Sequence, residues 1–239
     1  MEIRVAFLGY NRPGYFSSTM ASWRTALVGG DRYRPTLYLE PSPAEAEMRR
    51  LFRGTGPVRV NPRRLGIETN YFATMGRIFG EDPTVEAVVM AEDDVLVSSD
   101  VMDYFEWAFA EHAKDDSILA VCAFSNLTVP DGFGPEHGIR YPYFFPWVWG
   151  TWRNRWEELL EPQWEFRHIP GWDVGLGVVM NACGLRCAMP AHTRADHIGA
   201  VGIHMRPEGL AGTRHASFLL DRPRGTQFSE LPYFGPYDV

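Results

Sequence analysis

Along the first 127 residues, short apolar runs alternate with segments whose apolar positions recur every three or four residues, the pattern of strands joined by amphipathic helices. Ile3 to Leu8 predicts the first strand. Phe16, Met20, Trp23 and Leu27 fall at helical spacing and predict a helix from Tyr15 to Val28. Thr36 to Glu40 predicts a second strand, and Ser42 followed by Pro43 supplies an N-cap and a first-turn proline for a helix through Arg49 and Leu51. Val58 to Asn61 predicts a short third strand. Phe72, Met75, Ile78 and Phe79 mark another helix face, and Ala87 to Ala91 predicts the next strand. Asp100 is placed to cap a helix from Val101 to about Ala113, and Ile118 to Phe124 predicts a further strand. The alternation predicts an α/β fold with a mostly parallel central sheet flanked by helices. From Thr128 onward Pro, Gly and aromatic residues become dense and helical periodicity is intermittent, so 128–239 reads as a loop-rich half. No repeat or linker divides the chain, and a single domain over 1–239 is expected.

Composition narrows the class. Of the 239 residues 45% are apolar, with no run near the roughly 20 apolar residues that span a bilayer. The opening Met1-Glu2-Ile3-Arg4-Val5 enters a strand pattern without the layout of a secretory signal, so a cytoplasmic protein without a membrane span is expected. A net charge of -7 and scattered arginines give no footprint for nucleic acid. Cys122, Cys183 and Cys187 lack CxxC spacing, which predicts reduced core cysteines rather than disulfides or structural zinc.

The chemistry concentrates where Val88-Val89-Met90-Ala91 runs into Glu92-Asp93-Asp94. Three adjacent acids repel one another and resist desolvation, so a cation is expected there. Mg2+ or Mn2+ takes one or two carboxylates and completes its shell with phosphate oxygens and water. A solvated acidic turn is the plainer reading. In open α/β sheets ligands bind outside the carboxyl ends of the strands, which brings in Arg12 after the first strand and Glu40 at the end of the second. Arg12 suits a phosphate or a base, and Glu40 a base or ribose, with surface solvation the alternative for both.

Five aromatics fall within Phe144 to Trp152. Aromatic faces stack on sugar rings, although core packing also explains such a run. Trp147 and Trp149 are candidates for an acceptor surface, and Gly150 permits close approach of backbone. Asp173, within Gly171-Trp172-Asp173-Val174-Gly175, reads either as a helix N-cap or as a general base that is ionised at pH 7. His197 and His204 flank a glycine-containing segment and could contact diphosphate or a metal. The stretch from Gly199 to Gly212 is expected to move. GxGxxG after the first strand, GxxxxGK[ST], GxSxG and HExxH are missing, which disfavours dehydrogenase, P-loop, hydrolase and zincin chemistry.

Taken together, the apolar strand ending in Glu92-Asp93-Asp94, Tyr104-Phe105 in the next helix, Phe144-Phe145-Pro146, Trp172-Asp173 and the late Gly/His segment resemble the inverting β-1,2-N-acetylglucosaminyltransferases of the N-acetylglucosaminyltransferase I type. The resemblance implies a GT-A glycosyltransferase fold with a nucleotide-sugar and metal-binding half over 1–127 and an acceptor and catalytic half over 128–239. It implies Asp94 as the carboxylate for Mn2+ or Mg2+ on the donor diphosphate, and Asp93 and Glu92 as contacts to ribose and sugar. Arg12 and Glu40 match nucleotide contacts, with glutamate where the family carries aspartate. Asp173 matches the catalytic base, Trp172 its acceptor-side neighbour, and His204 the segment that orders over the donor. Transfer of GlcNAc from a UDP-sugar to a small-molecule, peptide or glycan hydroxyl is the implied activity. A non-catalytic sugar-nucleotide or carbohydrate binder and a sugar nucleotidyltransferase are the alternatives. Bulky Trp147 and Trp149 depart from the family's loop and point to a different acceptor.

Overall fold

In a computed structural model describing residues 1–29, 31–129, 131–164, 171–200 and 217–232, the chain runs β1 (Ile3–Gly9), α1 (Pro13–Ala26), β2 (Thr36–Leu39), α2 (Glu45–Phe52), β3 (Val58–Val60), α3 (Ile67–Glu81) and β4 (Ala87–Glu92). β5 (Val95–Val97), α4 (Val101–Glu111) and β6 (Ile118–Cys122) complete the first half. The second half holds β7 (His137–Tyr141), β8 (Trp149–Trp152), α5 (Arg153–Arg155), a π turn (Trp156–Leu160), α6 (Glu161–Gln163), α7 (Trp172–Ala182), β9 (Arg186–Pro190), β10 (Ala195–His197) and β11 (Ser229–Glu230).

Among the described residues nine strands form one sheet in the order β11-β7-β9-β6-β8-β4-β1-β2-β3, and β5 pairs with β10 in a separate ribbon. The β1–β2, β2–β3 and β1–β4 ladders are parallel, while β8 is antiparallel to both β4 and β6. The second half is therefore more regular than its composition indicates: β7, β8 and β9 extend the sheet. Their aromatic residues are strand and core residues rather than loop residues.

Every residue of β1 is buried, as expected of a strand covered on both faces. Its side chains alternate between two cores: Ile3, Val5 and Phe7 pack with α1, α2 and α4, and Ala6 and Leu8 pack with α3 and α7. β4 sorts in the same way, with Val89 and Ala91 on the first side and Val88 and Met90 on the second.

Local differences from the sequence pattern have identifiable causes. α2 begins at Glu45, because the Ser42 hydroxyl donates to the Tyr10 carbonyl at 2.6 Å and the Ser42 carbonyl accepts from Glu45. Asp100 stands at the N-cap of α4, but its carboxylate accepts from Ser98 and from Arg194 at 3.1 and 3.2 Å. This buried pair anchors the segment leading into β10 beside the start of α4. Cys122 and Cys187 are buried free thiols, whereas Cys183 is exposed past the end of α7. Among the described residues no helix is long and apolar enough to cross a membrane.

Candidate active site

The pleat of β4 decides how the three acids divide. Glu92, two residues after Met90, continues on the α3 side, where its Oε1 accepts a 2.9 Å hydrogen bond from the Tyr71 hydroxyl. The Tyr71 ring lies 4.2 Å from that of Trp172 and 6.1 Å from that of Trp149, so the donor to this carboxyl is held in an aromatic cluster. Burial pushes Glu92 up to about 8, and the neighbouring Asp94 charge adds to the rise. Burial therefore favours the protonated form of Glu92.

Asp93 and Asp94 occupy the turn into β5 and are 2% and 1% exposed. Arg12, immediately before α1, forms ion pairs with Oδ1 of Asp93 and with Oδ2 of Asp94. Tyr10 donates its backbone N–H to Asp93 Oδ2 at 3.2 Å, and the Thr19 hydroxyl donates to the Asp93 carbonyl at 3.1 Å. The parallel β1–β4 ladder sets these contacts by placing the two strand ends side by side. Burial raises the Asp93 carboxyl to about 6 against the pull of Arg12. For Asp94 burial also works against the charge, but the His197 hydrogen bond and the Arg12 charge outweigh it, and the carboxyl lies below its ordinary value.

His197 reaches Asp94 through the β5–β10 ribbon. It pairs with Val95, and Ile198 donates its N–H to the Asp94 carbonyl at 2.9 Å. Nε2 of His197 then lies 3.2 Å from Asp94 Oδ2. Gly199 crosses directly over this contact, where a Cβ would collide with Asp94 Oδ2 and crowd His197 Nε2 at 2.9 Å. Only a residue without a side chain permits that approach.

The donor set fits a divalent cation bound through a single carboxylate. Oδ2 of Asp94 is engaged by Arg12 and His197, whereas Oδ1 is buried and has no hydrogen-bond partner among the described residues. Among those residues no three His, Cys, Asp or Glu side chains converge into a complete cage. Mg2+ and Mn2+ on nucleotide substrates need few protein ligands, the remainder coming from phosphate and water, so one such carboxylate suffices.

The other residues singled out from sequence lie in different settings. Glu40 is buried at the end of β2, and its Oε1 accepts from the backbone N–H groups of Leu65 and Gly66, so it holds the entry to α3 rather than facing outward. Gly150 is not at a ligand surface: it lies in β8, where the space of its absent side chain is filled by the Val88 carbonyl and the Phe109 ring. Trp149 and Trp172 are core residues rather than an acceptor surface, because both rings bury their area against Tyr71 and Phe144. Trp147 is half-buried and stacks on His197. Asp173 is the second residue of α7, half-buried, with Gly171 at the N-cap instead. His204 and 201–212 of the expected mobile stretch lie outside the described residues. Tyr71 was not legible as a site residue, since its position in the helical apolar pattern reads simply as core.

Comparisons with known proteins agree with this architecture. No protein-family model matches the chain. An alpha-1,3-mannosyl-glycoprotein 2-beta-N-acetylglucosaminyltransferase from Arabidopsis thaliana is 29% identical over 122 residues, covering 48% of this chain and 25% of the relative. The chain thus spans about a quarter of that relative's length. Among solved structures, a mannosyltransferase from Pyrobaculum calidifontis in complex with GDP-Man and Mn2+ superposes with a TM-score of 0.54 at 16% identity, covering 80% of this chain and 57% of that one. GalNAc-T7 with UDP, GalNAc and Mn2+ gives 0.54 at 12% identity over 81% of this chain and 43% of that one. S. aureus TarS gives 0.58 at 9% identity over 84% and 61%. The chain has the GT-A fold of nucleotide-sugar transferases and resembles the N-acetylglucosaminyltransferase I-like enzymes in sequence.

Proposed function

We propose that this protein is a metal-dependent inverting glycosyltransferase that moves GlcNAc from UDP-GlcNAc to a hydroxyl of a small-molecule, peptide or glycan acceptor. The observation that carries the reading is the state of Asp94, a buried carboxylate at the strand ends with one oxygen engaged and the other without a partner among the described residues. Leaving such an oxygen unsatisfied costs about 1–3 kcal/mol, and a divalent cation supplies the missing partner. The nucleotide and Mn2+ held by two of the similar structures, and the activity named for the Arabidopsis relative, support the same class.

In this reading Asp94 Oδ1 holds Mn2+ or Mg2+, which when bound neutralises charge on the departing diphosphate. Arg12, paired with Asp93 and Asp94, would add a second positive charge beside the diphosphate. Glu92, whose protonated form burial favours, offers its acid proton to a donor-sugar oxygen while Tyr71 holds its other oxygen. Asp173 removes the acceptor proton as the acceptor oxygen attacks the anomeric carbon. The bond to the diphosphate breaks in the same step, its electron pair leaves with UDP, and the anomeric configuration inverts. Asp173→Asn is expected to lower transfer by about 10²–10⁴-fold, the usual contribution of a general base, while UDP affinity stays unchanged. Near wild-type transfer by that variant, measured with any accepted hydroxyl, would assign the base elsewhere.

A further inference from the structure

The aromatic run makes Trp147 a candidate for the acceptor by sequence, and the fold sets its indole against His197, the residue that holds Asp94. It stacks on the His197 imidazole with ring centroids 5.2 Å apart and planes 23° from parallel. Phe124 meets it edge-on at 4.7 Å, and Phe145 flanks it at 6.3 Å. The next residue, Val148, is fully buried with a φ of 59°. A β-branched residue in the left-handed region is a genuine outlier. Its carbonyl is pinned by the Ala123 N–H at 2.8 Å, so the conformation is held by the sheet.

The neighbours of Val148 show what the turn does. In an extended strand residues 147 and 149 would share one face. Here Trp147 packs against the core of α1 and α4, while Trp149 enters the opposite core against Tyr71. The left-handed residue between them separates the two indoles, and this brings Trp147 onto His197. With its ring stacked and Nε2 directed at Asp94 Oδ2, the imidazole has both its plane and its direction set.

We propose that Trp147 is a positioning residue for the cation at Asp94. By holding the His197 imidazole in place it keeps Oδ2 engaged and leaves Oδ1 as the oxygen that binds metal. This inference rests on the reading of Asp94 as the metal carboxylate. Outer-shell partners that orient metal ligands are typically worth 10- to 100-fold in metal affinity.

The test is Mn2+ binding, followed by the electron paramagnetic resonance of free MnCl2 in the presence of UDP, with thermal unfolding in EDTA to confirm that each variant folds. Trp147→Leu should raise the Mn2+ Kd about tenfold or more, and Trp147→Phe, which keeps a flat ring, should stay within about threefold of wild type. In a His197→Ala background Trp147→Leu should add nothing further, since its effect runs through the imidazole. Val148→Gly, which suits the left-handed conformation and keeps the indole in place, should bind Mn2+ as wild type does, and Trp147→Met serves if Trp147→Leu does not fold. Equal Mn2+ binding by wild type and Asp94→Ala would overturn the underlying metal reading. Wild-type binding through Asp94, with an unchanged Kd in Trp147→Leu or an effect that persists without His197, would overturn the role of Trp147 alone.

Discussion

Glu92 and Asp94 stand two residues apart, the first half-buried and the second 1% exposed, and their carboxyl groups are pushed in opposite directions. Glu92 accepts from the hydroxyl of Tyr71, whose ring packs on Trp149 and Trp172, and burial drives its carboxyl up to about 8. Asp94 lies between Arg12, His197 and the backbone of Gly199, and is held ionised. Strand pleat and the following turn, rather than composition, separate the two. Adjacent acids pushed apart in pKa are a recurrent way of dividing roles in one site, and the proposed function assigns one to a donor sugar and the other to a metal.

The largest expected effect comes from removing the proton that Glu92 holds. The folded protein keeps it until about pH 8, whereas the unfolded chain releases it near 4.5, so the folded state binds more protons between those values. Stability from this group is fully present below the lower value and is lost as pH rises toward the upper one, by up to about 1.4 kcal/mol per pH unit. Glu92→Gln, neutral throughout, should flatten the fall in Tm of metal-free protein between pH 5 and 8. An unchanged slope would show that Glu92 is ionised in the fold.

Gly199→Ala comes next. Its added methyl collides with Asp94 Oδ2, so Mn2+ affinity in the presence of UDP should fall roughly 10-fold or more, with a drop in Tm in EDTA as the carboxylate is displaced. Wild-type affinity would mean that the 198–200 backbone does not close on the carboxylate. The smallest effect is expected from Tyr71→Phe, which removes the donor to Glu92 and should cost about 1 kcal/mol of stability by denaturant unfolding, with Mn2+ affinity unchanged. A large loss of Mn2+ binding in that variant would join the two environments into one unit.

Much of the fold was legible because the first half obeys simple periods. The apolar runs at 3–8, 36–40 and 87–91 became β1, β2 and β4, and the spacing of Phe16, Met20 and Trp23 marked α1. The second half misled because β7, β8 and β9 sit inside the sheet, where aromatic and small residues fill both faces and no alternation is required. The Glu92-Asp93-Asp94 cluster was visible as a chemical anomaly. Its partners were harder to see, because the β5–β10 ribbon joins His197 to Asp94 across 103 positions of sequence. Glu40 shows the converse: a polar residue at a strand end suits a base, a ribose or solvent, and the fold adds a role that sequence does not show, since its Oε1 accepts from the N–H groups of Leu65 and Gly66.

Thermal stabilisation by UDP and UDP-GlcNAc, with and without Mn2+, in wild type and Asp94→Ala, tests the central claim most directly. At a ligand concentration 100 times its dissociation constant the wild type should gain about 2.7 kcal/mol, only with the metal present, and Asp94→Ala should gain nothing. Stabilisation that is independent of Mn2+ or retained in Asp94→Ala would contradict the metal-diphosphate site, and no response to either nucleotide would contradict the transferase reading while leaving the GT-A fold in place.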